Sequence, residues 1–308
     1  MKKKQMGKNG PVCSSIAAGF WRLNHWGFSN DHIFDFVHEC IELGVTTFDH
    51  ADIYGDYTCE QQFGRALSEN GNKTIPFSLR SNIQIVTKCG IRLQYSNTRP
   101  GIQHQHYNTD KDYIIASVEQ SLKNLCTSYI DLLLIHRPDA LLNADEVAEA
   151  FIQLRNSGKV QHFGVSNFTP PQVALLQSRL PFSLVTNQIE CSVLKMEPLH
   201  DGTLDQCQMM GINPMAWSPL GGGGLFKANT EKAIRVKLEL EQIGMELGGY
   251  RPDQIALAWL FRHPSGIFPV LGTGKIDRIQ AAVSSVNIHL EREQWYRIWS
   301  ASTGQAVP

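Results

Sequence analysis

Short apolar runs alternate with amphipathic segments along this chain. Gly44–Phe48, Ile83–Thr87, Ile130–Ile135, Phe163–Val165, Phe182–Thr186, Ile212–Trp217 and Gly266–Val270 all read as strands. Several are uninterrupted apolar stretches, as expected of parallel strands covered on both faces. Between them the period changes. Residues 110–125 place Ile114, Ile115, Val118, Leu122 and Leu125 on one helical face, with Thr109 as the expected cap and Asp112 three positions on. Asn143 with Glu146, and Thr169 ahead of Pro170, predict two further helix starts. Strand alternating with helix means parallel α/β architecture, either a doubly wound sheet or a (β/α)8 barrel.

Two observations separate these. A dinucleotide-binding doubly wound sheet opens with GxGxxG after its first strand, and the first apolar segment, Ile16–Trp21, carries no such loop. Polar residues recur just after successive strands: Asp49, Lys88, His136, Asn167, Gln188 and Ser218. In a barrel every strand ends on one face, so these six would converge there. A single-domain (β/α)8 TIM barrel over residues 1–308 is the expectation. The residues in excess of a minimal barrel fall to long loops at 90–109 and 218–229 and to helical segments at 230–247 and 291–302, and the first ten or so form a flexible tail.

Charge sets the partner class. Twenty-eight basic residues stand against 29 acidic ones, a net charge of -1, so no global field draws the chain to nucleic acid or to an anionic membrane. No apolar stretch is long enough to span a bilayer, and the basic start MKKKQMGKNGP has no apolar core behind it. A cytoplasmic protein acting on a small molecule is expected; nothing sets an oligomeric state. Seven dispersed cysteines without a CxxC pair read as buried free thiols rather than a disulfide framework or a zinc site.

Asp49 ends one expected strand, Tyr54 follows in FDHADIYG, Lys88 ends the next strand and His136 the one after. Together they deliver a carboxylate, a phenol, an ammonium and an imidazole to one mouth. A phenol with its ordinary pKa of about 10 is a weak proton donor near neutrality. An adjacent ammonium lowers that value, a carboxylate keeps the ammonium charged, and a histidine can orient a carbonyl oxygen. General acid catalysis is the chemistry such a set performs.

FDHADIYG, VTKCG, DLLLIHRPD, GVSNF and NQIE, in that order, resemble the serial landmarks of the aldo-keto reductase superfamily from about Gly19 to Arg278. The resemblance implies a (β/α)8 barrel using NADP(H), with NAD(H) the lesser choice, to reduce aldehydes and ketones to alcohols. It places the catalytic tetrad on Asp49, Tyr54, Lys88 and His136, with Tyr54 as the acid. It puts nicotinamide-carboxamide contacts on Ser166, Asn167 and Gln188 and the stacking aromatic on Trp217. Gly19, Phe20 and Trp21 would border the cofactor, and Ser218 and Leu220 open the glycine-rich loop that wraps the pyrophosphate. Thr273, Gly274, Lys275 and Arg278 would hold the adenosine 2′-phosphate. His50 stands where many members have Thr, and Gly272 where many carry a phosphate-binding Lys, which moves that charge onto Lys275 and Arg278. Histidine at 136, rather than the glutamate of members that reduce steroid double bonds, favours carbonyl reduction.

Singly, each residue has a duller reading: Tyr54 as packing, Lys88 with Asp49 as a surface ion pair, Trp217 as core. The ordered set favours function. Two rivals are a redox-sensing regulatory subunit related to the potassium-channel β subunits, which bind NADP(H) with little turnover, and a hydrolase using Asp49 with Glu190. The first is disfavoured by an expected first strand within some twenty residues of the start, the second by leaving Lys88 and the glycines without a role. His104 and His106, with no third ligand, read as solvated loop residues rather than a metal site. Their loop, 90–109, is long for a strand–helix connection and is expected to shape substrate choice with Trp21, Trp26 and Tyr57.

Overall fold

Eight parallel strands close into a ring in chain order: β1 (Ala17–Gly19), β2 (Thr47–Asp49), β3 (Gln84–Cys89), β4 (Ile130–Ile135), β5 (Val160–Ser166), β6 (Asn187–Glu190), β7 (Met215–Trp217) and β8 (Phe268–Leu271). Leu271 lies opposite Ala18 where the ring shuts. The computed structural model describes residues 1, 3–68, 74–227 and 230–308, so residues 228 and 229 of the expected 218–229 loop lie outside the described residues. Helices follow the strands and bury their apolar stripes on the barrel wall; that of Lys111–Asn124 buries Ile114, Val118 and Leu122. Among the described residues, no helix is long and apolar enough to cross a membrane.

Local chemistry explains most boundaries. Asn143 caps Ala144–Asn156 by accepting from the Asp145 N–H at 3.1 Å, while its amide donates to Glu146 at 3.2 Å. The Thr169 N–H donates to Gln172 at 2.9 Å ahead of Pro170, the first residue of its helix. Thr109 departs from expectation: Asp110 occupies the cap position, and the Thr109 hydroxyl donates to Asp139 at 3.0 Å. Phe182–Thr186 is also corrected. Its end bonds to β5, the Val185 N–H donating to Phe163 O at 2.9 Å, but the paired strand is Asn187–Glu190. A hydrophobicity pattern stops short of that strand because its inward residue, Gln188, is polar and buried.

Instead of a loose tail, the N-terminus closes the lower end of the barrel. Lys3–Gln5 pairs antiparallel with Val12–Ser14, and Met6 and Cys13 are fully buried against Ala17, Val86, Leu132 and Phe268. Gly10 is obligatory in the turn, since a Cβ there would lie 1.9 Å from Met6 O. The Gly7 N–H donates to Asn213 at 2.7 Å, and Lys4 donates to Gly266 O at 3.0 Å. Nearby, Ser14 Oγ accepts the N–H groups of Thr46 and Thr47, each at 3.1 Å, and donates to Ile16 O at 2.6 Å. Buried Arg80 donates to Asp131 at 2.7 Å, Thr127 at 2.8 Å and Tyr129 O at 2.8 Å.

Two further helices, Glu231–Glu246 and Arg292–Thr303, fall where the excess length was assigned. Arg297 ties them through Glu239 and Glu246 at 2.7 and 2.8 Å. Trp295 stacks on buried Trp259 with centroids 4.8 Å apart and planes 8° apart, and each indole N–H donates to the other residue's carbonyl, at 3.2 and 3.1 Å. All seven cysteines are free, and every one but Cys126 is buried.

Candidate active site

The upper rim of the barrel gathers the polar residues that end the strands. Asp49 is the last residue of β2, Lys88 lies in β3 and His136 directly follows β4. Lys88 is fully buried and spends its ammonium on three acceptors: Asp49 Oδ2 at 2.8 Å, His50 O at 2.6 Å and Tyr54 Oη at 3.1 Å. Burial works against that charge, but Asp49 and Tyr54 outweigh it and raise the lysine above its ordinary range. The other Asp49 oxygen accepts from Gln188 Nε2 at 2.8 Å, across the barrel from β6. Every one of these bonds needs Asp49 as acceptor or Lys88 as donor, so the pair is locked as an ion pair.

Tyr54 is corrected in one respect. Lys88 pulls its phenol toward ionisation, but burial is the larger effect and the net shift is upward. The phenol therefore stays protonated through neutrality, which suits a proton donor. His136 meets Tyr54 edge-on at 5.8 Å. Burial, then the charges of Lys88 and Arg137, holds its imidazole well below the usual range, hence neutral. A neutral ring keeps one N–H for donation and one nitrogen for acceptance.

The carboxamide candidates form one hydrogen-bonded chain beside the tetrad. Ser166 Oγ donates to Gln188 O at 2.9 Å, Asn167 Nδ2 donates to Ser166 Oγ at 2.8 Å, and Trp217 Nε1 donates to Asn167 Oδ1 at 3.0 Å. Asn167 and Ser218 both take left-handed backbone, at φ 58 and 50, as chains turning sharply at a ligand-facing rim often do. Past Ser218 and Leu220, Gly221, Gly222 and Gly223 have φ of 62, 63 and 92, conformations open to glycine at no steric cost. This leaves a bare backbone cradle of the kind a pyrophosphate needs. Thr273 and Gly274 precede helix Ile276–Ser285, capped by Lys275. Lys275 and Arg278 are exposed and pair with no carboxylate among the described residues. A basic helix N-terminus fits a phosphate monoester.

Not every expected contact is brought to the mouth. Gly19 lies at the end of β1 opposite Asp49, but the Phe20 side chain is fully buried, stacked on His50 at 4.7 Å, so only its backbone remains for a ligand. Trp21 is 59% exposed. Trp26, expected on the substrate side, packs on Phe20 and Phe36 and lies where a Cβ on Gly274 would meet its ring at 2.8 Å. His50 is buried and pushed down to about 3 by desolvation and then by Lys88; it faces the aromatic core. His104 and His106 are exposed.

Sequence reasoning missed two groups. Arg137 donates to His136 O at 2.8 Å and to Ser166 Oγ at 3.4 Å, placing a cation between those two residues. Its adjacency to His136 was the available signal. Asp52 is buried, and among the described residues neither of its carboxylate oxygens has a hydrogen-bond partner. Burial, then the charge of buried Glu60, lifts its carboxyl well above the ordinary range. Its place between Asp49 and Tyr54 gave no hint of this, because burial is not visible in a four-residue loop.

The sequence profile of the Aldo/keto reductase family matches residues 15–303. An uncharacterized oxidoreductase of Bacillus subtilis is 51% identical, with 96% of each chain covered. An oxidoreductase of Escherichia coli is 50% identical over 97% of each. A 6-dehydroglucose reductase of Agrobacterium fabrum is 41% identical over 96% of each. Among solved structures, a thermostable aldo-keto reductase in complex with the inhibitor epalrestat superposes with a TM-score of 0.80 at 25% identity, covering 98% of this chain and 100% of that one.

Proposed function

The chain belongs to the aldo/keto reductase family and is an oxidoreductase; from that premise we propose that it reduces aldehydes and ketones to alcohols with NADP(H), Tyr54 supplying the proton. The observation that carries this is the buried Lys88 ammonium, bonded at once to Asp49 and to the Tyr54 hydroxyl. A nicotinamide cofactor, when bound, supplies the hydride for the carbonyl carbon. Tyr54 holds a proton at its Oη and donates it to the oxygen on which charge develops. Lys88 then stabilises the phenolate left behind, and Asp49 holds Lys88 in place. Neutral His136 donates its N–H to the same oxygen and orients it. Ser166, Asn167 and Gln188 would hold the carboxamide, Trp217 would offer its face to the ring, and Lys275 with Arg278 would favour a 2′-phosphate over a bare ribose hydroxyl.

For substrate class, the 41% identical relative from Agrobacterium fabrum bears the name 6-dehydroglucose reductase, which puts polyhydroxylated aldehydes first. The test is NADPH consumption against sugar aldehydes, aromatic aldehydes, methylglyoxal and quinones, beside direct NADPH titration. Turnover fastest with sugar aldehydes supports the reading. Tight NADPH binding with no turnover on any carbonyl overturns it in favour of a redox-sensing subunit.

A further inference from the structure

Three consecutive residues immediately after the proposed proton donor, Gly55, Asp56 and Tyr57, take left-handed backbone at φ 59, 55 and 65. Glycine adopts this freely, but aspartate does so less readily and tyrosine is disfavoured. Such a run persists only where the surroundings over-determine it. Part of the support comes from Asn24, whose amide donates to Gly55 O at 3.1 Å. Most comes from the 90–109 loop. The Asp56 carboxylate accepts from the Ser96 hydroxyl on one oxygen. On the other it accepts from the Asn97 N–H at 2.9 Å, the Thr98 N–H at 3.3 Å and the Thr98 hydroxyl at 3.4 Å. Ser96 Oγ also accepts from the Arg99 N–H at 2.9 Å, which closes the loop on itself at the point of attachment. Tyr57 carries the second attachment: its hydroxyl accepts from the Leu93 N–H at 3.1 Å, and the Arg99 guanidinium lies 4.1 Å from its ring centroid.

The Tyr54 side chain packs against the core cluster, with the Lys88 ammonium 4.9 Å from its ring centroid. Its hydroxyl meets Lys88, its ring meets His136 edge-on, and its backbone carbonyl accepts from the Thr58 N–H at 3.1 Å across the left-handed run. Because the chain enters the left-handed run directly from Tyr54, where the phenol stands relative to Lys88 depends also on the conformation of residues 55–57. We infer that Asp56 is a positioning residue for Tyr54, and that docking of the 93–99 loop onto its carboxylate sets the phenol in reach of Lys88 and the substrate oxygen. This rests on the reading of Tyr54 as the proton donor and adds to it the means by which the donor is held. Asp56 itself touches no reacting atom. Its loss is felt as misplacement, to which proton transfer is far more sensitive than binding.

The test compares Asp56→Ala, Asp56→Asn, Ser96→Ala and the double variant Asp56→Ala with Ser96→Ala, measuring kcat, KM, the NADPH dissociation constant and the melting temperature. Asp56→Ala should lower kcat by about tenfold to a hundredfold while KM and the NADPH dissociation constant stay within about threefold. Asp56→Asn, which keeps an acceptor for the loop, should recover most of that loss. Ser96→Ala should lower kcat by a smaller factor, and the double variant should be no worse than Asp56→Ala alone, because both remove one attachment. A kcat within about threefold of wild type in Asp56→Ala, or losses that multiply in the double variant, overturns the inference. Should Asp56→Ala fail to fold, Ser96→Ala decides: unchanged kcat overturns the inference, and lowered kcat with unchanged KM supports it. Tyr54→Phe separates this inference from its premise. If that variant turns over normally, the donor assignment itself falls; if it is inert while Asp56→Ala is fully active, only the positioning role falls.

Discussion

The two ends of the barrel treat buried polar groups in opposite ways. At the lower end, Ser14, Thr46, Thr47 and Gln84 satisfy one another and the backbone, and Arg80 directs its bonds to Asp131, Thr127 and two carbonyls. At the upper end, Lys88 and Asp49 are paired, but among the described residues His136 Nδ1 and both oxygens of nearby Asp52 have no hydrogen-bond partner. A buried polar group without a partner is a standing cost; the hydroxyls of Thr186 and Ser302 carry it singly elsewhere, and the Asp52 carboxylate and His136 ring carry it together at the end where we propose that ligands bind. One alternating strand pattern thus serves stability below and chemistry above, as the fold's geometry allows.

The sharpest way to break this division is to remove one atom at the top. Tyr54→Phe deletes only the phenol oxygen and should cut turnover by about a thousandfold with melting temperature and NADPH affinity nearly unchanged; a stability loss in place of a rate loss would blur the two ends. The converse is Arg80→Met. It strands Asp131, whose carboxyl burial already raises despite Arg80, and should cost about 3–5 kcal/mol in denaturant unfolding while kcat per folded molecule holds. Next in size, Arg278→Ala should weaken NADPH by roughly tenfold or more and NADH little in a fluorescence titration; equal losses would place the 2′-phosphate elsewhere.

Smaller effects appear in pH dependence. Because the Tyr54 phenol lies above its ordinary value, the acid form persists through neutrality. Carbonyl reduction should stay level there and fall only beyond about pH 10, while alcohol oxidation, which needs the phenolate, should climb as pH rises. A reduction rate that halves between pH 7 and 8 would contradict the upward shift. Asp52 gives the smallest effect. With its folded pKa above the unfolded one, the folded chain holds the extra proton, so stability is present at low pH and declines as pH rises past about 4. Asp52→Asn removes that decline, and its advantage in melting temperature over wild type should be larger at pH 8 than at pH 5.

Much of the upper end was legible in the chain. Ionisable residues ending successive apolar strands, with no GxGxxG loop, pointed to a barrel, and Asp49, Lys88 and His136 stand at one rim as expected. The lower end was far less legible. The N-terminal hairpin looked like a loose basic tail because the groups that dock it, Asn213 accepting from the Gly7 N–H and Gly266 O accepting from Lys4, are more than 200 residues away in sequence, and no local pattern encodes such a distance. Strand β6 was displaced for a related reason: the reading followed hydrophobicity, and at the mouth the inward residue of that strand is Gln188. Thr109 was passed over for Asp110 because either can cap a helix, and the choice depended on Asp139, thirty residues on. The left-handed run at 55–57 had only its glycine as a signal.

The paired indoles of Trp259 and Trp295 carry a consequence for observation. Two chromophores stacked in nearly parallel planes at 4.8 Å couple their excited states, so the pair should give an exciton couplet in circular dichroism that vanishes when the C-terminal helix lifts away. Trp217, at the rim where we propose that the cofactor binds, should instead report through quenching by a bound nicotinamide. One protein thereby contains two optical channels, and release of its last helix could be timed separately from occupancy of its mouth without attaching a label.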